Sequence, residues 1–256
     1  PPFRKLMARC PHIDRILLDP RAPAWKPAAI IELARTLRSE GFSRVYDLQR
    51  SSRTERYRKL LLRNATWIGK RKGETGVSSL ANYRSQLEAG GIQAPHSPNP
   101  DVSWMADDVS ALLAAEGVAA RYVALIPGCS ARHPHKRWPY YAELARELLD
   151  ADIDVVTAPG QDELDMAHTI PGHVLLGPNG FLNWFELAGV LRQASFVVGN
   201  DTGPSHVAAF LGRPGLALFG PHTSAERTGI RRAHFDAIEV ADLAALPVET
   251  VLAEVL

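Results

Sequence analysis

The chain has 256 residues, 46% hydrophobic and 22% charged, enough for one large domain or two modest ones around a sizeable core. No apolar run approaches the roughly 18 residues of a membrane span, and no leader peptide is read at the start. Two widely spaced cysteines, Cys10 and Cys129, predict free thiols rather than a disulfide or metal pair.

The net charge of +1 conceals an asymmetry, because residues 1–93 hold 19 Lys and Arg against 8 Asp and Glu, while residues 94–256 hold 10 against 20. The basic residues crowd from Arg50 to Lys72, through Arg53, Arg56, Arg58, Lys59, Arg63, Lys70 and Arg71. They form either a solvated face or a field that draws an anionic substrate or a membrane surface. Nothing in the pattern points to a nucleic-acid partner.

Taken in order, the first half predicts a strand over 13–18 and a helix over 26–40 that Gly41 caps. A strand over 45–48, a weaker one over 65–69 and a helix over 79–89 follow, the last stopped by Gly90 and Gly91. Residues 94–100 carry Pro95, Pro98 and Pro100, the composition of a boundary. The expected organisation is therefore a first lobe over 1–93, a linker and interdomain segment over 94–121, and a second lobe over 122–256.

The second half alternates strand and helix: strands at 122–126, 153–157, 174–176, 196–198 and 216–219, with helices at 140–149, 163–169, 185–193 and 206–211. Such alternation requires parallel pairing, since parallel strands need crossover connections. Ligands of open parallel sheets sit outside the carboxyl ends of the strands. The loops 127–138, 158–163, 200–206 and 220–224 all fall there, and four loops converging on one edge make a pocket. There is no internal repeat, no Gly-x-Gly-x-x-Gly and no phosphate loop ending in Gly-Lys-Ser/Thr, which removes most dehydrogenase and kinase readings.

The most informative stretch is Gly199-Asn200-Asp201-Thr202-Gly203-Pro204-Ser205-His206, between an apolar strand and a helix. Unpaired N–H groups and the positive dipole end of that helix suit an anion, and Thr202 and Gly203 allow close backbone approach. His206, in the first turn, reads as a donor to phosphate rather than a metal ligand. Asp201 reads as a general base, as a brace accepting backbone N–H bonds, or as a contact to a donor sugar. In the first loop Gly128 and Ser130 offer donors and Lys136 a compact cation for a diphosphate, and Trp138 reads as packing. His133 and His135 lack an acidic or cysteine partner and read as loop residues, so no metal site is expected. Glu163, with Asp162 behind it, either holds a ribose diol or favours its helix start.

Four elements in this order resemble glycosyltransferase family 9, the ADP-heptose:lipopolysaccharide heptosyltransferases. They are Pro127-Gly128 through Lys136-Arg137-Trp138-Pro139, Pro159 to Glu163, Asp201-Thr202-Gly203-Pro204-Ser205-His206, and Leu218-Phe219-Gly220-Pro221. The resemblance covers 122–222 and, more weakly, the first half, where 11–16 looks like the family's second-strand region. It implies an α/β GT-B architecture of two Rossmann-like lobes with parallel sheets, the N-terminal one incomplete. It further implies an inverting, metal-independent transfer of a heptose or related sugar from an ADP-sugar, with no cofactor beyond that donor substrate.

By position, the resemblance places Ser130, Lys136, Thr202 and Gly203 on the donor diphosphate and Glu163 on the nucleoside. Asp201 and His206 then line the sugar and phosphate region. It also implies an anionic glycolipid acceptor, a cytoplasmic location and peripheral contact with the inner membrane through the basic first lobe. The family's general base is an Asp in a Gly-Asp loop, and no Gly-Asp pair occurs in this chain, so the catalytic residue is unassigned with Asp201 only a secondary candidate. The loop from Ser130 to Lys136 carries a histidine-rich insertion relative to the family. Two other readings stay open: a sugar-nucleotide epimerase or hydrolase of similar fold, and a non-catalytic nucleotide-sugar-binding module.

Overall fold

The computed structural model describes residues 3–23, 25–48, 51–69, 78–130 and 132–256. The chain divides into two compact units, one of residues 1–4 and 13–99, the other of residues 5–12 and 100–256. The short helix α1 (Arg4–Arg9) thus belongs mostly to the second unit, where Arg9 pairs with Asp107 and lies over the Phe185 ring.

The first unit holds α2 (Pro27–Ser39), β1 (Arg44–Asp47), α3 (Ser52–Leu60), β2 (Thr66–Gly69) and α4 (Ser79–Ala89). Proline in its first turn preorganises α2, and Gly41, at φ +65°, provides the left-handed residue that ends it. A reciprocal pair of hydrogen bonds between Ser51 and Thr54 starts α3. β1 and β2 pair in parallel, with Val45 opposite Trp67. The strand expected over 13–18 does not form among the described residues. Apolar side chains alone do not make a strand, which needs a neighbour for its N–H and C=O groups, and among the described residues β1 and β2 pair only with each other.

The second unit continues with α5 (Ser110–Ala115), β3 (Tyr122–Ile126), α6 (Tyr141–Asp150), β4 (Asp154–Thr157), α7 (Leu164–Ala167), β5 (His173–Val174) and α8 (Trp184–Gln193). It ends with β6 (Phe196–Asn200), α9 (Gly203–Phe210), β7 (Gly215–Phe219), α10 (Ala225–Thr228), β8 (Phe235–Glu239) and α11 (Val248–Val255). Residues 100–121, expected as part of a linker, are built into this unit: Val109 and Leu113 are buried in its core.

Six parallel strands run in the order β5-β4-β3-β6-β7-β8. Counted within the unit this is the doubly wound order 3-2-1-4-5-6. β3 and β7 are buried at every position. Alternate residues serve opposite layers. Tyr122, Ala124 and Ile126 pack with α8 and α9 residues such as Val190 and Ala208, while Val123 and Leu125 pack with Leu144 and Leu148 of α6. Helices on both faces explain why these strands read as continuous apolar runs. The order reverses between β3 and β6. The loops leaving those two strands part in opposite directions, and the crevice between them holds the site.

Candidate functional site

Asn200, the last residue of β6, ties the two sides of this crevice together. It is fully buried, and its Nδ2 donates to the carbonyls of Pro127 (2.8 Å) and Gly128 (3.3 Å). Its Oδ1 accepts from the Trp138 backbone N–H and the Tyr141 hydroxyl, each at 3.1 Å. The loop after β3 is thereby fastened at both ends to β6. Trp138 is fully buried, as its packing role requires, and donates through Nε1 to the Leu246 carbonyl at 3.0 Å.

Asp201 follows at once and is 7% exposed. Lys136 Nζ approaches its Oδ2 to 2.7 Å, His222 Nε2 the same oxygen to 3.2 Å, and His206 Nε2 its Oδ1 to 3.5 Å. Burial works against the charged carboxylate, but the hydrogen bonds from His206, Lys136 and His222 outweigh it and hold Asp201 far below the ordinary carboxylate range. A carboxylate so strongly held in its ionised form is a poor proton acceptor near neutrality, which weighs against Asp201 as general base. Burial pushes the His222 imidazole below its usual value, and Lys136 adds to this, while Asp201 opposes it.

The first turn of α9 completes this corner. Thr202 caps it without a side-chain bond to a helix backbone N–H, and Gly203 and Ser205 present N–H groups that have no intrahelical acceptor, Pro204 contributing none. The Ser205 hydroxyl is buried and turns back to the Asn200 carbonyl at 2.6 Å. That turn needs Gly199, because a Cβ there would lie 2.4 Å from Ser205 Oγ.

Glu163 does something that its place in the sequence does not reveal. Its Oε2 accepts from the Gly160 N–H at 2.9 Å, and its carboxylate lies directly over Gly128, where a Cβ would stand 2.2 Å from both oxygens. The loops after β3 and β4 therefore meet through one carboxylate and two glycines. Asp162, the reserve candidate, has no hydrogen-bond or ion-pair partner among the described residues. Ser130 is exposed; its hydroxyl and carbonyl accept from the Arg132 and His133 N–H groups.

Sequence reasoning missed His222 and Asn200. His222 stacks on Phe219 and meets the edge of His135, which in turn meets His133. Its loop, 220–224, stood out as polar and well placed, but no spacing rule pairs position 222 with position 201. Among the described residues no group of three or more His, Cys, Asp or Glu has metal-holding geometry, and Cys10 and Cys129 are both free.

In the first unit the basic run is partly spent internally. Arg53 reaches Asp19 at 3.4 Å, Arg58 and Lys59 pair with Glu55, and Tyr57 donates to Asp19 at 2.8 Å. Arg50, Lys70, Arg71 and Lys72 lie outside the described residues. No helix among the described residues is long and apolar enough to cross a membrane.

A doubly wound parallel sheet with a helix N-terminus, an ammonium, a carboxylate and two imidazoles gathered at its switch point defines an α/β protein with a polar crevice at its strand ends. The chain belongs to glycosyltransferase family 9, the heptosyltransferases, whose model matches residues 55–242. Lipopolysaccharide heptosyltransferase 2 of Escherichia coli (strain K12) is 33% identical over 99 residues, a stretch covering 34% of this chain and 28% of that relative's length.

Among solved structures, E. coli ADP-heptose lps heptosyltransferase II superposes with a TM-score of 0.74 at 20% identity, covering 99% of this chain and 85% of that one. The E. coli heptosyltransferase WaaC with ADP gives 0.69 at 18% identity, covering 99% and 87%. At these identities the likeness is one of fold: an α/β architecture with parallel sheets, close to GT-B heptosyltransferases.

Proposed function

We propose that this chain is a glycosyltransferase that moves a heptose or related sugar from an ADP-sugar to a lipopolysaccharide core acceptor, with inversion and without a metal. The observation that carries this reading is the convergence of Lys136 and His206 on Asp201 beside the open first turn of α9, in a chain of this family. A departing nucleoside diphosphate develops negative charge, and preorganised N–H donors and cations stabilise it as a metal does elsewhere. Lys136, the Gly203 backbone and the Thr202 and Ser130 hydroxyls would hold the two phosphates. Glu163 keeps acceptor capacity beyond its bond to Gly160 and would meet the nucleoside. Asp201 would position Lys136 and face the donor sugar. The ADP named with one structural neighbour supports a nucleotide donor. The net positive charge of residues 1–93 supports an anionic glycolipid acceptor and contact with the cytoplasmic face of an anionic membrane.

Release of ADP from ADP-heptose, measured with and without a lipopolysaccharide core acceptor, tests the reading. Acceptor-dependent release is expected. Turnover of the nucleotide sugar alone would favour an epimerase or hydrolase, and saturable binding with no turnover a binding module. Lys136→Ala should weaken ADP-sugar affinity about ten- to a hundredfold by calorimetry, the scale of a lost charge-assisted bond. Unchanged affinity would remove Lys136 from the diphosphate site.

A further inference from the structure

In the first unit, α2 and α3 leave between them a gap that their own side chains do not fill. Neither helix has a buried residue. With residues 19–22 they enclose an open cavity of about 260 Å³, just under the size of ordinary small-ligand sites. Its walls are apolar: Ala29, Ile30 and Leu33 come from α2, and Leu60 and Leu61 from the end of α3. Ile30 is 39% exposed and Leu60 64%. This apolar surface stands open to water, at a cost that an apolar occupant would remove.

The ionisable side chains on the cavity are Asp19, Arg53, Arg56 and Tyr57. Three of them satisfy one another, since Asp19 accepts from the Tyr57 hydroxyl at 2.8 Å and pairs with Arg53 at 3.4 Å. A sugar ring would therefore find few free partners here. Arg56 differs. Its Nε donates to the Ser52 carbonyl of its own helix at 3.3 Å, and no carboxylate partners it among the described residues. Two guanidinium groups against one carboxylate leave a positive charge beside an apolar cavity. That is complementary to an apolar chain with a single anionic group at its head. Trp25, between the lining residues Ala22 and Ala29 in sequence, is 80% exposed, as a side chain at a membrane–water interface would be.

We infer that the cavity between α2 and α3 holds one acyl chain of an anionic membrane lipid, with Arg56 on its head group. The inference rests on the membrane contact proposed above and gives that contact a site. Charge brings the first unit to the surface, and the cavity then takes a chain out of the leaflet.

Lysophosphatidylglycerol, with one chain and one negative charge, is a soluble probe of this site. It is titrated by calorimetry below its micelle concentration, with octanoyl, decanoyl and dodecanoyl chains. Affinity should rise about fourfold per methylene until the cavity is full. The same chains on lysophosphatidylcholine, whose head is neutral, should bind about fivefold more weakly at low salt, and Arg56→Gln should erase that difference. Ala29→Phe, which fills the cavity, should bind neither lysolipid while still sedimenting with anionic vesicles, a combination that general surface attraction would not produce. Three results overturn the inference: binding that ignores chain length, binding that survives in Ala29→Phe, or a head-group preference that Arg56→Gln leaves intact. If the wild type sediments with anionic vesicles yet binds no lysolipid, the cavity site falls and the membrane contact stands; if it does neither, both fall. Should Ala29→Phe fail to fold, the chain-length and head-group series on the wild type and Arg56→Gln decide alone.

Discussion

Asp201 shows how one buried carboxylate is sustained. It is worth keeping ionised because three side chains donate to it, and each would lose a partner if it were neutralised. Its native pKa is depressed, so the stability it supplies is fully present above the unfolded value of about 3.9 and is lost as pH falls through the native one. Asp201→Asn should therefore be less stable than wild type at neutral pH, with the gap narrowing as both are acidified below about pH 4. Urea denaturation at a series of pH values reads this; a gap independent of pH would mean that shape rather than charge matters at this position.

The turns at the strand ends depend on glycine where a side chain of the neighbouring loop crosses. Gly128→Ala would place a methyl 2.2 Å from the Glu163 carboxylate, forcing it off Gly160 and costing about 1–3 kcal/mol. In a Glu163→Ala background the same substitution should cost much less, and a double-mutant cycle by denaturant unfolding measures that coupling. Equal costs in both backgrounds would show that the two loops are held by something else.

These elements also show what a sequence can and cannot disclose. β3, β6 and β7 were legible because strands covered on both faces are apolar throughout, and the site's main loops were legible because they follow such strands. β8 escaped notice: as an edge strand its Asp236 and Glu239 face solvent, which breaks the apolar run. The run at 13–18 misled for the opposite reason, since it is apolar but has no ladder partner among the described residues. Lys136, Asp201 and His206 were foreseen as neighbours, whereas Glu163 as a brace and His222 as a partner of Asp201 depend on contacts across loops that no local pattern encodes.

Charge is divided between the halves of the chain rather than mixed. Residues 1–93 carry an excess of Lys and Arg and residues 94–256 an excess of Asp and Glu. Internal pairs to Asp19 and Glu55 reduce the free charge on α3 without abolishing the excess. If an anionic surface is the partner, the chain should co-sediment with vesicles containing anionic phospholipid and not with neutral ones. Retention should fall steeply between about 0.05 and 0.5 M salt as the screening length contracts. Equal retention on both vesicle types would assign the positive excess to solubility alone.

The loop that carries Lys136 is anchored beyond the residues proposed to hold the donor. Trp138, two residues beyond Lys136, leans on the Leu246 carbonyl, and Tyr140 donates to that of Ala244 at 2.8 Å. Val251 of α11 is fully buried in the same layer as Trp138 and Leu144. Residues 244–256 are thus part of the loop's foundation. A premature stop codon near position 243 would spare every side chain proposed to hold the donor, yet the gene product would behave in a screen as a binding-site mutant.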